Sequence, residues 1–358
     1  MRSDIAGGGP RAGRRPRWIL VRSARLPVST RVRVRTLVLA LVACGAALAM
    51  MMWSLTLGSQ ELGPAEVVRA LVGAPAEPGH TFIVHSVRLP RTLTAALVGA
   101  VLAVSGAVLQ ALVRNPLASP DVIGVNSGAG LVVVFTIVTA LPAALIPVGA
   151  FAGATATAFI VYALTWRSGV SGTRLVLVGI GVNAAASALT TLLIVRYPVD
   201  RVSLAVWWQA GTLSGAEWAD VTVLLVGVAV LLPVVLWFVR HAAVLQFGDD
   251  AARALGVRAE LARTALLVAA AGFAALAVAA AGPIGFVALI SPHIARMLAG
   301  PVTGGVLLFA AGIGACMLSA ADLVARHAFP VALPVGVLTA AVGAPYFLFL
   351  LARTDRGR

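Results

Sequence analysis

Between Arg91 and Arg114 the chain runs for 22 residues without a formal charge. At about 1.5 Å per residue, a helix of that length crosses a hydrocarbon core of about 30 Å. The stretch is not greasy on every side: Gly99, Ser105, Gly106 and Gln110 are small or polar, which suits a helix packed against other helices better than one facing lipid. Asn115-Pro116 then ends it, because proline has no N–H to donate and restricts the residue before it.

The same pattern repeats along the chain. Thr36 to Leu57 reads as the first span and Thr92 to Val113 as the second. The 45 uncharged residues from Val122 to Trp166 exceed one helix; Pro142 and Pro147 divide them into spans near Val122 to Leu141 and Ile146 to Trp166. Leu175 to Val195 and Val221 to Val239 follow. Thr264 to Ala295 holds 32 uncharged residues, broken by Gly282-Pro283 and Gly285 into a span ending near Ala281 and a short helix from Phe286 to about Met297. Thr303 to Ala325 and Val331 to Leu351 complete ten. Glu61 to Gly73 is short and amphipathic and is expected to lie along the outer surface. Arg196 to Ala219, with Trp207, Trp208 and Trp218, is expected to be an outside connection at the aromatic belt.

Charge sets the orientation. A chain that is 60% hydrophobic and 11% charged lies far from the soluble average of about 25% charged residues. The net charge of +14 points to membrane topology and not to nucleic acid, since ten arginines crowd into the first 35 residues and most others sit at span ends. On the ten-span layout 21 arginines lie inside and 6 outside. Residues 1–35 are expected to be a disordered basic cytoplasmic tail, 36–352 the transmembrane domain with a cytoplasmic loop at 241–263, and 353–358 a second cytoplasmic tail. The weak likeness of RTLTAALVGAVLAVSGA to RTALLVAAAGFAALAVA suggests two five-span halves, which must be inverted because each has an odd number of spans. The expected fold is therefore an all-α polytopic membrane protein of about ten transmembrane helices.

All 27 basic residues are arginine. Without lysine there is no G-x-x-x-x-G-K-[ST] phosphate loop and no Schiff-base chemistry, so if ATP drives this chain another polypeptide hydrolyses it. Cys44 and Cys316 each fall within an apolar span and offer no disulfide framework. Leu41-Val42-Ala43-Cys44 has the look of a lipoprotein processing box, but the apolar run continues to Leu57, so no cleavage is expected there. His80, His85 and His293 stand alone, without Cys, Asp or Glu at ligand spacing, and no metal site and no cofactor are assigned.

Arg-Leu-Pro-Arg before a span, then Ser-Gly-Ala-x-x-Gln, Asn-Pro-Leu-Ala-x-Pro and Gly-x-x-x-Gly-Ala, resembles the permease subunit of ABC importers of the FecCD type, which carry iron-siderophore complexes and cobalamin. FGDDAARALGV, GPIGFVALISPHIAR, ADLVAR and LPVGVLTAAVGAPYFLFLL stand in the family's order, and the resemblance covers about Leu57 to Ala352. RNPLASPDVIGVNSGA and FGDDAARALGV are most similar to the ferric-enterobactin branch. The resemblance implies a type II ABC importer permease fold, two ATPase subunits, a second permease chain in a heterodimer or homodimer, and an extracytoplasmic siderophore-binding lipoprotein.

Three groups of residues follow. DDAARALGV reads as a short helix, with two carboxylates at its N-terminus and Gly256 placed to stop it. The resemblance implies that Phe247, Asp249, Asp250, Arg253, Leu255 and Gly256 contact the ATPase. Arg88, Arg91 and Arg326 lie outside against the positive-inside trend, so as unpaired guanidiniums they are suited to carboxylates of a binding protein; the resemblance implies the same role. Asp322, four residues before Arg326, offers that arginine an internal ion pair as the rival use. Gln110, Asn126, Asn183, Ser187 and Thr190 are candidates for a weakly polar conduit, with close helix packing as their rival role.

The expected function is a non-enzymatic permease of the cytoplasmic membrane, termini inside, importing ferric siderophore on another chain's ATP hydrolysis. The alternatives are the same machine carrying haem or cobalamin, an ion-coupled secondary transporter, and a membrane scaffold.

Overall fold

The computed structural model describes residues 18–22, 29–58, 60–74, 77–121, 123–166, 172–245, 254–256 and 258–355. Within them the fold is a helical bundle preceded by a two-stranded antiparallel ribbon. Strands β1 (Trp18–Arg22) and β2 (Ser29–Arg33) pair in the register Trp18 with Arg33 and Arg22 with Ser29. This ribbon departs from the expectation of an unstructured tail: the alternation in STRVR and the apolar core of WILVR supply two short strands that a reading by composition passes over.

Among the described residues ten apolar helices form the bundle. Seven are long enough to cross a membrane: α1 (Val34–Thr56), the continuous helix Gly79–Val113 that contains α4, α6 (Leu145–Trp166), α7 (Gly172–Arg196), α9 (Trp218–Leu245), α10 (Ala259–Ala281) and α12 (Gly304–His327). Two are shorter, α5 (Val125–Val138) and α11 (Val287–Ala299), and the tenth, α13 (Val335–Asp355), has 21 residues. The ten expected spans thus correspond one for one to ten apolar helices.

Several boundaries differ. The third span was expected to have 20 residues and α5 has 14, because Gly124 at φ +84° delays its start and Ala140 at φ +56° closes the turn after it. The last span begins at Val335, just past Pro334, and not at Val331. The outer connection contains a helix of its own, α8 (Val199–Gln209), which opens after Pro198 with Asp200 in its first turn. The amphipathic stretch is α2 (Pro64–Leu71), started by Pro64 and by Glu66, whose carboxylate accepts from the Gly63 N–H at 2.8 Å.

Helix α4 (Leu89–Val113) is the axis of the bundle and its most buried member. It is continuous with α3 (Pro78–Phe82) through a widened π-helical stretch, Ile83–Arg88. Pro90 explains the widening: it has no N–H for the Ser86 carbonyl, and the neighbouring Leu89 N–H reaches back five residues to Val84. Small residues let α4 touch several helices at backbone distance. A Cβ at Gly99 would fall 2.2 Å from the Gly314 carbonyl oxygen of α12, and one at Gly106 would fall 1.7 Å from the Ala288 oxygen of α11. Pro292 leaves that Ala288 carbonyl without its usual donor four residues on, so the Gly106 Cα–H is the group that faces it. Ser105 Oγ donates to Ala270 O of α10 at 2.6 Å, and Gln110 Nε2 to Leu289 O of α11 at 3.0 Å.

The break in the second half is built on backbone rather than on side chains. Gly282 at φ +68° ends α10, and Phe286 at φ +67° begins α11. Gly211, just after α8, lies against Pro283, and Gly336 of α13 donates its N–H to Gly211 O at 3.1 Å. Gly343 leaves the space that the Phe286 ring occupies.

Candidate functional site

Three of the six arginines expected on the outside meet at one end of the bundle. Arg88 and Arg91 stand one turn apart at the start of α4, and Arg326 lies in the last turn of α12, which packs along α4 through Gly99 and Gly314. The C-terminus of α1 completes the cluster. The three arginines are not unpaired, however, and they do different things.

Arg88 is 7% exposed and turns toward α1. Its Nη1 donates to Leu55 O at 2.7 Å and to Thr56 O at 3.3 Å, and its Nη2 donates to Gln60 O. The last carbonyls of a helix have no intrahelical donor and carry the negative end of its dipole, so a buried guanidinium is well placed there. Gly58 makes room for it, since a Cβ at that position would lie 2.6 Å from Nη2. In this structure Arg88 is enclosed as a cap on the end of α1, unlike the part-exposed Arg91 and Arg326.

Arg91 and Arg326 share one carboxylate. Asp322 is 1% exposed; its Oδ1 accepts from Arg91 Nη2 at 2.8 Å and its Oδ2 lies 3.0 Å from Arg326 Nε. Arg91 Nε adds two longer contacts of 3.3 Å. Arg326 Nη2 donates to Ser54 Oγ at 2.6 Å, and Ser54 is 3.4 Å from Thr92 Oγ1. The rival use of Arg326 is thus present, and Arg91 has joined it. Two guanidiniums against one carboxylate leave one net positive charge, and both arginine side chains retain some exposure, 21% and 15%.

The segment expected to contact an ATPase falls mostly outside the described residues: Phe247, Asp249, Asp250 and Arg253 all do. Leu255 and Gly256 are described. Leu255 is 69% exposed, and Gly256 has φ +74°, the left-handed conformation expected of a helix-stopping glycine. Nearby, Arg114, at φ +57°, closes α4 and donates from Nη2 to Leu245 O, the last residue of α9.

The conduit candidates lie in different surroundings. Gln110 is fully buried in the α4–α11 contact, Thr190 donates to Ala186 O within its own helix at 2.9 Å, and Ser187 is exposed. Asn126 donates to Asp121 Oδ1 at 2.5 Å in the turn before α5. Asn183 is half-buried, with its backbone near Gly124. Asp121 is a feature that the sequence reading passed over. Burial pushes its carboxyl up to about 7, against the lowering effect of the Asn126 hydrogen bond. His293, left unassigned above, packs edge-on to Tyr346 at 6.4 Å.

Known proteins share this architecture. The achromobactin transport system permease of Dickeya dadantii (strain 3937) is 42% identical over 310 residues, 86% of this chain and 88% of its own. The ferric enterobactin transport system permease of Escherichia coli (strain K12) is 40% identical over 324 residues, 90% of this chain and 98% of its own. The cobalamin import system permease of Halobacterium salinarum (strain ATCC 700922 / JCM 11081 / NRC-1) is 43% identical over 272 residues, 75% and 73% of the two chains. Among solved structures, one described as an inward-facing conformation of a metal-chelate type ABC transporter aligns with TM-score 0.79 and 28% identity, covering 88% of this chain and 98% of that one. The profile of the FecCD transport family matches residues 46–353, which take in every span except the start of α1. A lysine-free bundle of ten apolar helices, matched over that length, is a non-enzymatic ABC importer permease, and the chain belongs to the FecCD transport family.

Proposed function

We propose that this permease imports a ferric siderophore across the cytoplasmic membrane, receiving it from an extracytoplasmic binding protein at the Arg91–Asp322–Arg326 end. Two ATPase subunits act at the opposite end, and a second permease chain, related or identical, completes the pore. The observation that carries the reading is the Asp322 pair itself: two part-exposed guanidiniums on one buried carboxylate, with one positive charge left over. Under the positive-inside rule that end is extracytoplasmic and both termini are cytoplasmic. A receptor for a soluble donor on the outer face belongs to an importer.

The choice of ferric siderophore rests on the relatives named for achromobactin and ferric enterobactin, which match about nine-tenths of this chain. Haem and cobalamin are the competing cargoes, and the cobalamin relative matches a smaller share. The ATPase contact is assigned to Phe247, Asp249, Asp250, Arg253, Leu255 and Gly256. The exposed Leu255 beside a left-handed Gly256 suits an apolar knob on a short helix, which can pass a rigid-body motion of the ATPase to α9 and α10 on either side. Iron travels inside its chelator as cargo.

Uptake of labelled ferric catecholate, ferric citrate, haem and cobalamin by a strain lacking this chain, with and without the chain restored, tests the cargo. Restoration of ferric-chelate uptake alone is expected. Restoration of haem or cobalamin uptake alone would overturn the choice.

A further inference from the structure

We infer that Asp322 is a positioning residue for docking: it locks Arg91 of α4 and Arg326 of α12 into one rigid cationic unit that receives a carboxylate-bearing protein surface. The inference rests on the docking reading and adds to it the group that sets the geometry.

Asp322 is itself unfit to meet a partner, being almost fully enclosed. Its Oδ1 takes Arg91 Nη2 at 2.8 Å and its Oδ2 takes Arg326 Nε at 3.0 Å, with Arg91 Nε 3.3 Å from both oxygens. Arg91 is thereby held by Nε and Nη2, and Arg326 by Nε and, through Ser54, by Nη2. Neither arginine has a partner at Nη1 among the described residues, and both side chains reach the surface in part. A long arginine left to itself loses considerable rotamer freedom on binding. Held in this way, the two have already lost it within the fold, and an incoming carboxylate finds its donors in place. The carboxylate also keeps two like charges together at the joint between an α4 and an α12 that pack backbone to backbone. The partner surface is acidic, and its carboxylates meet the remaining Nη1 donors while Asp322 stays behind them.

The test uses the complete transporter in proteoliposomes: permease chains, ATPase and the strain's own siderophore-binding protein loaded with labelled ferric siderophore. For Asp322→Asn, the concentration of loaded binding protein giving half-maximal uptake is expected to rise about tenfold while maximal uptake holds. Asp322→Glu is expected to restore most of the difference. A fall in maximal uptake with the half-saturating concentration unchanged would assign Asp322 to the gate or to the fold and overturn the inference. The double variant Arg91→Ala, Arg326→Ala separates the two ideas. If it leaves the half-saturating concentration unchanged, the docking reading fails; if it raises it while Asp322→Asn does not, docking stands and the role of Asp322 is refuted.

A second measurement covers the case in which Asp322→Asn does not fold. Labelling of the native permease with phenylglyoxal should modify Arg91 and Arg326 several-fold more slowly than the exposed Arg196, and equal rates would overturn the inference.

Discussion

Gly99 and Gly314 face each other across the contact of α4 and α12 so closely that a Cβ on either would stand 2.2 Å from the other's carbonyl oxygen. The approach brings Arg91 and Asp322, two turns further along the same pair of helices, within 2.8 Å. Packing of small residues in the span and pairing of charges at its end are one feature. Between membrane helices, where lipid removes most of the hydrophobic drive, such backbone proximity is a principal source of association.

Gly99→Ala or Gly314→Ala should therefore destabilise the purified permease by about 1–3 kcal/mol or more, because a backbone carbonyl cannot move aside as a side chain can. Gly181, with nothing within 4 Å of its Cβ position, is the control and should tolerate alanine. Thermal unfolding in detergent measures both, and equal melting temperatures for all three variants would contradict this packing.

Arg88→Ala leaves enclosed carbonyls at the end of α1 without their donor. A loss of about 1–3 kcal/mol for each buried group is expected. The effect should appear in thermal stability, while the half-saturating concentration of binding protein stays near that of the native chain. An increase in that concentration as large as that of Arg91→Ala would return Arg88 to the docking surface.

Gln110→Met should keep most ferric-siderophore uptake. The side chain is sealed between α4 and α11, its Oε1 has no partner among the described residues, and methionine has a similar length. Loss of uptake in a variant that is folded and present in the membrane would place Gln110 on the conduit after all.

Asp121 gives a pH dependence with a definite sign. An acid raised from 3.8 to about 7 binds its proton more tightly in the folded state. Its contribution is therefore greatest below the unfolded value, declines as pH rises through that window, and levels off above about 7. The native chain should melt at a lower temperature at pH 8 than at pH 5, and Asp121→Asn should remove part of that difference. Parallel profiles for the two chains would exclude Asp121 as the cause.

The helices were legible because charge-free length and arginine placement are properties of local sequence. Pro142 and the Gly282-Pro283 break mark real interruptions, Pro147 lies in the first turn of α6, and α11 is short because of the second break. What escaped the sequence was set by tertiary contact. The sharing of Asp322 between Arg91 and Arg326 joins residues 231 positions apart, so spacing could suggest only the local pair with Arg326. The role of Arg88 depended on where the end of α1 came to rest. Helix α8 is the exception, since Pro198 and Asp200 carry a local start signal beside tryptophans that suit the aromatic belt. The polar residues of the spans gave no guidance between packing and conduit, since glutamine buried against a carbonyl and glutamine lining a path look alike in sequence.

The central claim is that this chain is a passive gate driven by ATP hydrolysis on another polypeptide. Its most direct test is uptake of labelled ferric siderophore into liposomes holding the purified permease, with and without the ATPase subunits and binding protein. The account predicts accumulation only when both are present with ATP, and none under a proton or sodium gradient alone. Accumulation by the permease alone on an ion gradient would contradict it.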